Sequence, residues 1–173
     1  MKVKASRSVE PQQLGRTGGA AGHDVDENVV APPAARMAIG LLSLVGLLIA
    51  GYMLLYKLGM IGTLACGTGS CGTVQASRWA DFLGVPVPAW GVAGYGLIFV
   101  ISLLGLQPRW VGDRRLGLTL FGFATIAFLF SAYLTAIEAF VLNAWCRWCV
   151  ASAIVATLIF VCSLTELRRK GEV

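Results

Sequence analysis

Charge is scarce in this 173-residue chain: 13% of its residues are Asp, Glu, Lys or Arg, and 57% are hydrophobic. Soluble domains keep about a quarter of their residues charged, so that class is excluded. A mean hydropathy of +0.74 equally excludes disorder as the dominant state, because such a chain cannot stay solvated. Histidine is almost missing; His23 stands alone, which removes the basis for a histidine-rich metal centre. Internal repeats are missing as well, and the length suits one domain. What the chain does carry is cysteine, five in all, and these become its main chemical resource.

Four uncharged apolar runs occupy most of the sequence: Met37–Tyr56, Phe82–Gln107, Leu116–Ile137 and Trp148–Thr165. A bilayer core about 30 Å thick takes roughly 20 helical residues, so each run is long enough to span. The second helix is expected to begin after Pro86 or Pro88, since proline fits the first turn and breaks the interior. The fourth needs to begin near Cys146. The expected architecture is an all-α integral membrane bundle of four helices, spanning about 37–56, 86–107, 116–141 and 145–165. Residues 1–36, polar and rich in Gly and Pro, read as a mobile tail with no fold of its own, and they begin too far from any apolar run to be a signal peptide. Residues 168–173 read as a short second tail.

The charges give the orientation. The first segment holds Lys2, Lys4, Arg7, Arg16 and Arg36; the loop between spans two and three holds Arg109, Arg114 and Arg115; the C-terminus holds Arg168, Arg169 and Lys170. These are 11 of the 14 Lys and Arg residues, and an even number of spans puts all three regions on one side, which the positive-inside rule makes cytoplasmic. The net charge of +5 therefore describes topology, not a nucleic-acid surface. The stretch Lys57–Val85 lies on the other, outer side, and its composition suits a loop with a short helix lying over the bundle mouth.

Four cysteines fall on that outer side, a compartment that permits disulfides. Cys66 and Cys71 form CGTGSC, in which Gly67 and Gly69 let the sulfurs approach or part. Cys146 and Cys149 form CRWC. Asn143 and Ala144 are expected to open the fourth helix and place Cys146 in its first turn, where orphan N–H groups and the helix dipole favour a thiolate. Arg147 adds positive charge. Cys149, three residues on, shares the helix face and points toward the membrane interior, so one sulfur faces water and the other faces lipid-soluble substrates. A two-residue gap within one helix constrains little chain entropy, which makes CRWC a poor staple and a good redox pair. A zinc or iron–sulfur centre built from all four outer cysteines is the competing chemistry, and its spacing does not match. No metal is expected. Cys162, 13 residues beyond Cys149, lies too deep to join any exchange and reads as a packing residue.

Taken in order, the pair Cys66 and Cys71, Ser77 within CGTVQASRW, Gly84-Val85-Pro86 before span two, and the run from Tyr133 to Cys149 resemble the vitamin K epoxide reductase family in its bacterial branch. The resemblance covers about Met37 to Leu167. It implies a four-helix membrane bundle around a quinone, either ubiquinone or menaquinone. It implies that Cys149 lies beside the quinone, that Cys146 exchanges with Cys71, and that Cys66 exchanges with a thioredoxin-like partner. That partner is expected to be a separate, periplasmic DsbA-like protein, and the location a bacterial inner membrane. Ser77 is implied at the quinone carbonyl. The animal enzyme's quinone-binding tyrosine falls at Ala153, so vitamin K epoxide reduction is not implied.

Three readings stay open at this stage: electron flow from partner to quinone, the reverse flow exporting reductant, and a structural membrane protein with two inert disulfides. Glu138, an acid at the outer end of span three, either relays protons or orients the loop, or else reaches interfacial water. Trp148 either packs on a quinone ring or anchors at the interface.

Overall fold

A computed structural model describes residues 34–67, 70–110 and 113–171. Among these, four helices are long and apolar enough to cross a membrane: α1 (Ala34–Lys57), α3 (Val87–Gly105), α4 (Arg114–Ile137, extended by a π-helical turn Glu138–Leu142) and α5 (Arg147–Gly171). Between α1 and α3 lie a short helix α2 (Cys71–Ala76), a 3-10 turn at Arg78–Ala80 and a two-stranded hairpin, β1 (Asp81–Phe82) and β2 (Val85–Pro86). The hairpin pairs Phe82 with Val85 and turns at Leu83 and Gly84, both at positive φ. Its strands are an addition to the expected all-helical architecture. Pro86 caps α3 and Pro88 sits in its first turn, where a missing N–H costs nothing.

Ile39, Ala50, Tyr95, Ile98, Leu120, Ala124, Val155 and Ile159 form the core between the helices, with Cys162 packed against it. Gly46 allows the closest approach: a β-carbon there would stand 2.5 Å from the Tyr95 ring, so the ring lies on bare α1 backbone. Large apolar side chains cover the outside instead. Leu48 is 66% exposed and Ile126 64%. A belt of this kind is stable only against lipid.

Two expected boundaries move. Residues 1–33 of the expected tail lie outside the described residues, but Ala34, Ala35 and Arg36 belong to α1. Likewise α5 continues to Gly171, past the stretch Arg147–Arg168 that is apolar enough to cross a membrane. Arg36 is not a free cytoplasmic charge. It is 1% exposed, donates from Nε to Glu166 of α5 at 2.7 Å, and donates from Nη1 to the carbonyls of Gly105 at 2.5 Å and Trp110 at 3.2 Å. Ser102 of α3 donates to the Arg36 carbonyl at 2.8 Å. The start of α1 and the ends of α3 and α5 therefore meet at one end of the bundle, leaving Cys66, Cys71, Cys146 and Cys149 to the other. Removing Arg36 takes a buried donor from the Glu166 carboxylate and from the carbonyls of Gly105 and Trp110, and breaking a buried pair costs about 3–5 kcal/mol. Arg36→Met is expected to lower stability on that scale in denaturant unfolding of the detergent-solubilised protein, and the double substitution Arg36→Met, Glu166→Leu to recover most of it. Equal losses in both would show that the pair acts through packing alone.

Candidate active site

The cysteine-bearing end is organised by α2. Six residues are too few for a helix to persist by itself. Here α2 is held at its start by a Cys66–Cys71 disulfide and at its end by Lys57, whose Nζ donates to the Gln75 carbonyl at 2.9 Å and to Asp81 at 3.1 Å. Gly67, beside Cys66, has φ +56°, and a β-carbon there would stand 3.0 Å from Nη1 of Arg147, so the loop passes directly under that guanidinium. Thr68 and Gly69 lie outside the described residues. The N–H of Ser70 donates to the Trp145 carbonyl at 3.2 Å, which ties the first cysteine loop to the second.

The second loop does not open α5 at Asn143 as expected. The π-helical turn after α4 ends at Asn143, which adopts φ +47°, a conformation asparagine tolerates better than most residues. The helix starts again only at Arg147, so Cys146 precedes its first turn instead of lying in it. Its sulfur accepts the N–H of Cys149 at 3.3 Å, in the manner of an N-cap side chain. Hydrogen bonding from the Cys149 thiol is the largest influence on Cys146 and holds it below the ordinary thiol range; burial and the Glu138 charge pull the other way.

Cys146 does not face water. It is 0% exposed, as is Cys71, and the two share a buried cluster with Cys66, Met53, Val74 and Ala144. The reason is α2, which roofs this end of the bundle. Cys66, the cysteine assigned to a partner, is itself 8% exposed in the disulfide. Cys149 packs on the same cluster and also lines a cavity of about 500 Å³ whose walls come from all five helices. Trp79, Phe82, Tyr95 and Phe130 supply aromatic walls; Ser77 and Glu138 line it too. Flat apolar walls with a few polar groups fit a quinone ring and an isoprenoid tail.

Glu138 does not reach interfacial water. It is 3% exposed, and Oε2 accepts the Cys146 N–H at 3.1 Å. One ligand atom from each of Glu138, Cys146 and Cys149 lies within 4.8 Å of the others, a donor set that could take a zinc ion. The four-cysteine centre is closed to metal while Cys66 and Cys71 are joined. Ser77 ends α2 and lines the cavity, and its hydroxyl donates to the Val74 carbonyl at 2.7 Å. Trp148 stands apart from the cavity lining. Its ring packs tilted against Tyr52, the centroids 5.0 Å apart, and its indole N–H donates to the Ala65 carbonyl at 3.3 Å, so it braces the loop beside Cys66. Two lining residues carry no signal in the sequence. Gln75 is buried in α2, and Tyr95 bonds Ser152 one turn past Cys149. Only its place four residues after Cys71 could have drawn attention to Gln75.

Residues 37–164 match the vitamin K epoxide reductase family. The chain is also 30% identical over 106 residues to the thiol-disulfide oxidoreductase LTO1 of Arabidopsis thaliana. That match covers 59% of this chain, which spans 28% of the relative's length.

Proposed function

The chain belongs to the vitamin K epoxide reductase family, and from that premise we propose that it is a membrane thiol:quinone oxidoreductase. It takes electrons from a separate thioredoxin-like protein and delivers them to a quinone held in the cavity. One observation carries the reading: Cys149 lines the apolar cavity while its partner in CRWC, Cys146, is buried against the loop disulfide. The motif bridges two compartments of the site.

The steps balance as follows. A donor thiolate attacks Cys66, and the donor's second thiol resolves the mixed disulfide, leaving the donor oxidised and both loop cysteines reduced. Cys71 then attacks Cys146 in the Cys146–Cys149 disulfide, and Cys149 leaves as thiolate. Cys66 attacks Cys71, the loop disulfide re-forms, and Cys146 is released. Two electrons and two protons have then moved to CRWC. A bound quinone supplies the acceptor for both, becoming hydroquinone, while Cys146 and Cys149 re-form their bond. Glu138 holds the proton leaving Cys149 on a carboxylate oxygen and releases it toward the cavity. The arrangement seen, with the loop pair joined and Cys146 and Cys149 as free thiols, corresponds in this reading to the point before quinone reduction.

The reading places the cysteine end on the outer face of a bacterial inner membrane. Support comes from Arg109, Arg114, Arg115 and Arg168 near the opposite end. Supply of oxidising equivalents for disulfides in secreted proteins follows. The test is a trap. With Cys66→Ala and Cys149→Ala combined, neither resolving thiol remains, so diamide is expected to convert most of the protein to a Cys71–Cys146 disulfide, read by peptide mass spectrometry. Recovery of both as free thiols would break the relay at its central step.

A further inference from the structure

Resting on the reading of the cavity as a quinone site, we propose that the carboxamide of Gln75 is the hydrogen-bond partner of the quinone's oxygen. Gln75 is 5% exposed and lines the cavity, and its Oε1 is sealed from solvent with no hydrogen-bond partner. An unmade hydrogen bond on a buried amide is a net cost to folding, and buried polar atoms are normally paired. A leucine or methionine would fill the same wall without that cost. A ligand that meets the amide removes the anomaly.

Most other polar groups of the walls are committed, the Trp79 indole N–H and the Ser131 hydroxyl excepted. Ser77 donates to the Val74 carbonyl at 2.7 Å, Tyr95 to the Ser152 carbonyl at 2.8 Å, and Thr135 to the Ser131 carbonyl at 2.9 Å. A hydroxyl that has given its proton to a backbone carbonyl can only accept, and a quinone carbonyl also only accepts. Oε2 of Glu138 is taken by the Cys146 N–H. A carboxamide differs from all of these, since it brings both N–H donors and a carbonyl acceptor. Its N–H suits the quinone carbonyl, its oxygen suits the hydroquinone O–H, and rotation of the last torsion exchanges them. One residue can therefore meet both the incoming and the outgoing form. The backbone behind it is fixed, because Lys57 holds the Gln75 carbonyl at 2.9 Å.

The experiment compares the full chain with Gln75→Met, an unbranched replacement, and with Gln75→Leu as a second shape. Three readouts are taken in detergent: binding of a prenylated naphthoquinone and a prenylated benzoquinone, binding of a prenylated naphthalene that lacks oxygen, and thermal unfolding. The expected result is quinone affinity weaker by about tenfold, the size of one lost hydrogen bond. Binding of the naphthalene should be unchanged or tighter, and the unfolding temperature unchanged or higher. Equal quinone affinity across the three proteins overturns the role of Gln75 while leaving the quinone site standing. An equal loss for quinone and naphthalene makes Gln75 a wall residue only and overturns it too. If the unsubstituted chain binds neither quinone, the quinone reading itself falls.

Discussion

Cys149→Ala is expected to bring quinone reduction down to background, a loss on the order of 10⁴-fold or more, the scale seen when an enzyme's reacting nucleophile is deleted. The expectation follows from geometry. Among the four paired cysteines, Cys149 alone lines the cavity; Cys66, Cys71 and Cys146 lie in the buried cluster beside it. Without Cys149 no thiol faces a bound quinone, and Cys146 has no partner with which to close a disulfide. The fold should survive, because alanine fills most of the volume and what is lost is the thiol's hydrogen bonding to Glu138 and Cys146. Thiol counting checks this directly: the Cys66–Cys71 disulfide should persist in the variant. Quinone reduction by dithiol is then compared between the two proteins. Retained turnover with that disulfide intact would move the chemistry to another cysteine and end the proposed relay.

Glu138→Gln is expected to slow quinone reduction by about 10²-fold, the lower range for loss of a general acid–base group. The amide keeps an oxygen for the Cys146 N–H, so the contact at 3.1 Å can persist. It cannot take a proton from Cys149. The opposite effect is expected upstream. The Glu138 charge pushes the Cys146 pKa up, so a neutral side chain lets it fall further. More thiolate at a given pH means that attack on the loop disulfide by Cys146, the reverse of the internal step, holds its rate to lower pH than in the unsubstituted protein. Two rates separate the roles. Slow quinone reduction with unimpaired thiol exchange identifies a proton carrier. Equal slowing of both would make Glu138 a clamp on the backbone of Cys146 and nothing more.

Membrane helices are among the most legible features of any sequence, and this chain is no exception. Runs without charge must be buried in lipid, and prolines at 86 and 88 mark where a helix can begin but not continue. The starts and ends were less legible. Arg36 read as a topogenic charge because nothing local reveals that Glu166, Gly105 and Trp110 converge on it. Asn143 read as a helix opener because its left-handed conformation closes a π-helical turn whose extra residue leaves no trace in an apolar pattern. Trp148 reads from the sequence either as a quinone-packing ring or as an interfacial anchor, and nothing local separates the two. The helical rotation turns it away, onto Tyr52.

The sequence by itself determined the solvent, the number of membrane-length helices and the two cysteine pairs on which the proposed chemistry rests, since hydropathy and cysteine spacing are local properties of the chain. Tertiary structure decided which sulfur meets which neighbour. The burial of Cys146 beneath α2, the opening of Cys149 to the cavity and the placement of Glu138 beside both depend on contacts between residues far apart in the chain. So does Gln75: a glutamine four residues after a cysteine is unremarked in one dimension. It becomes conspicuous only when the packing of three helices leaves its oxygen without a partner.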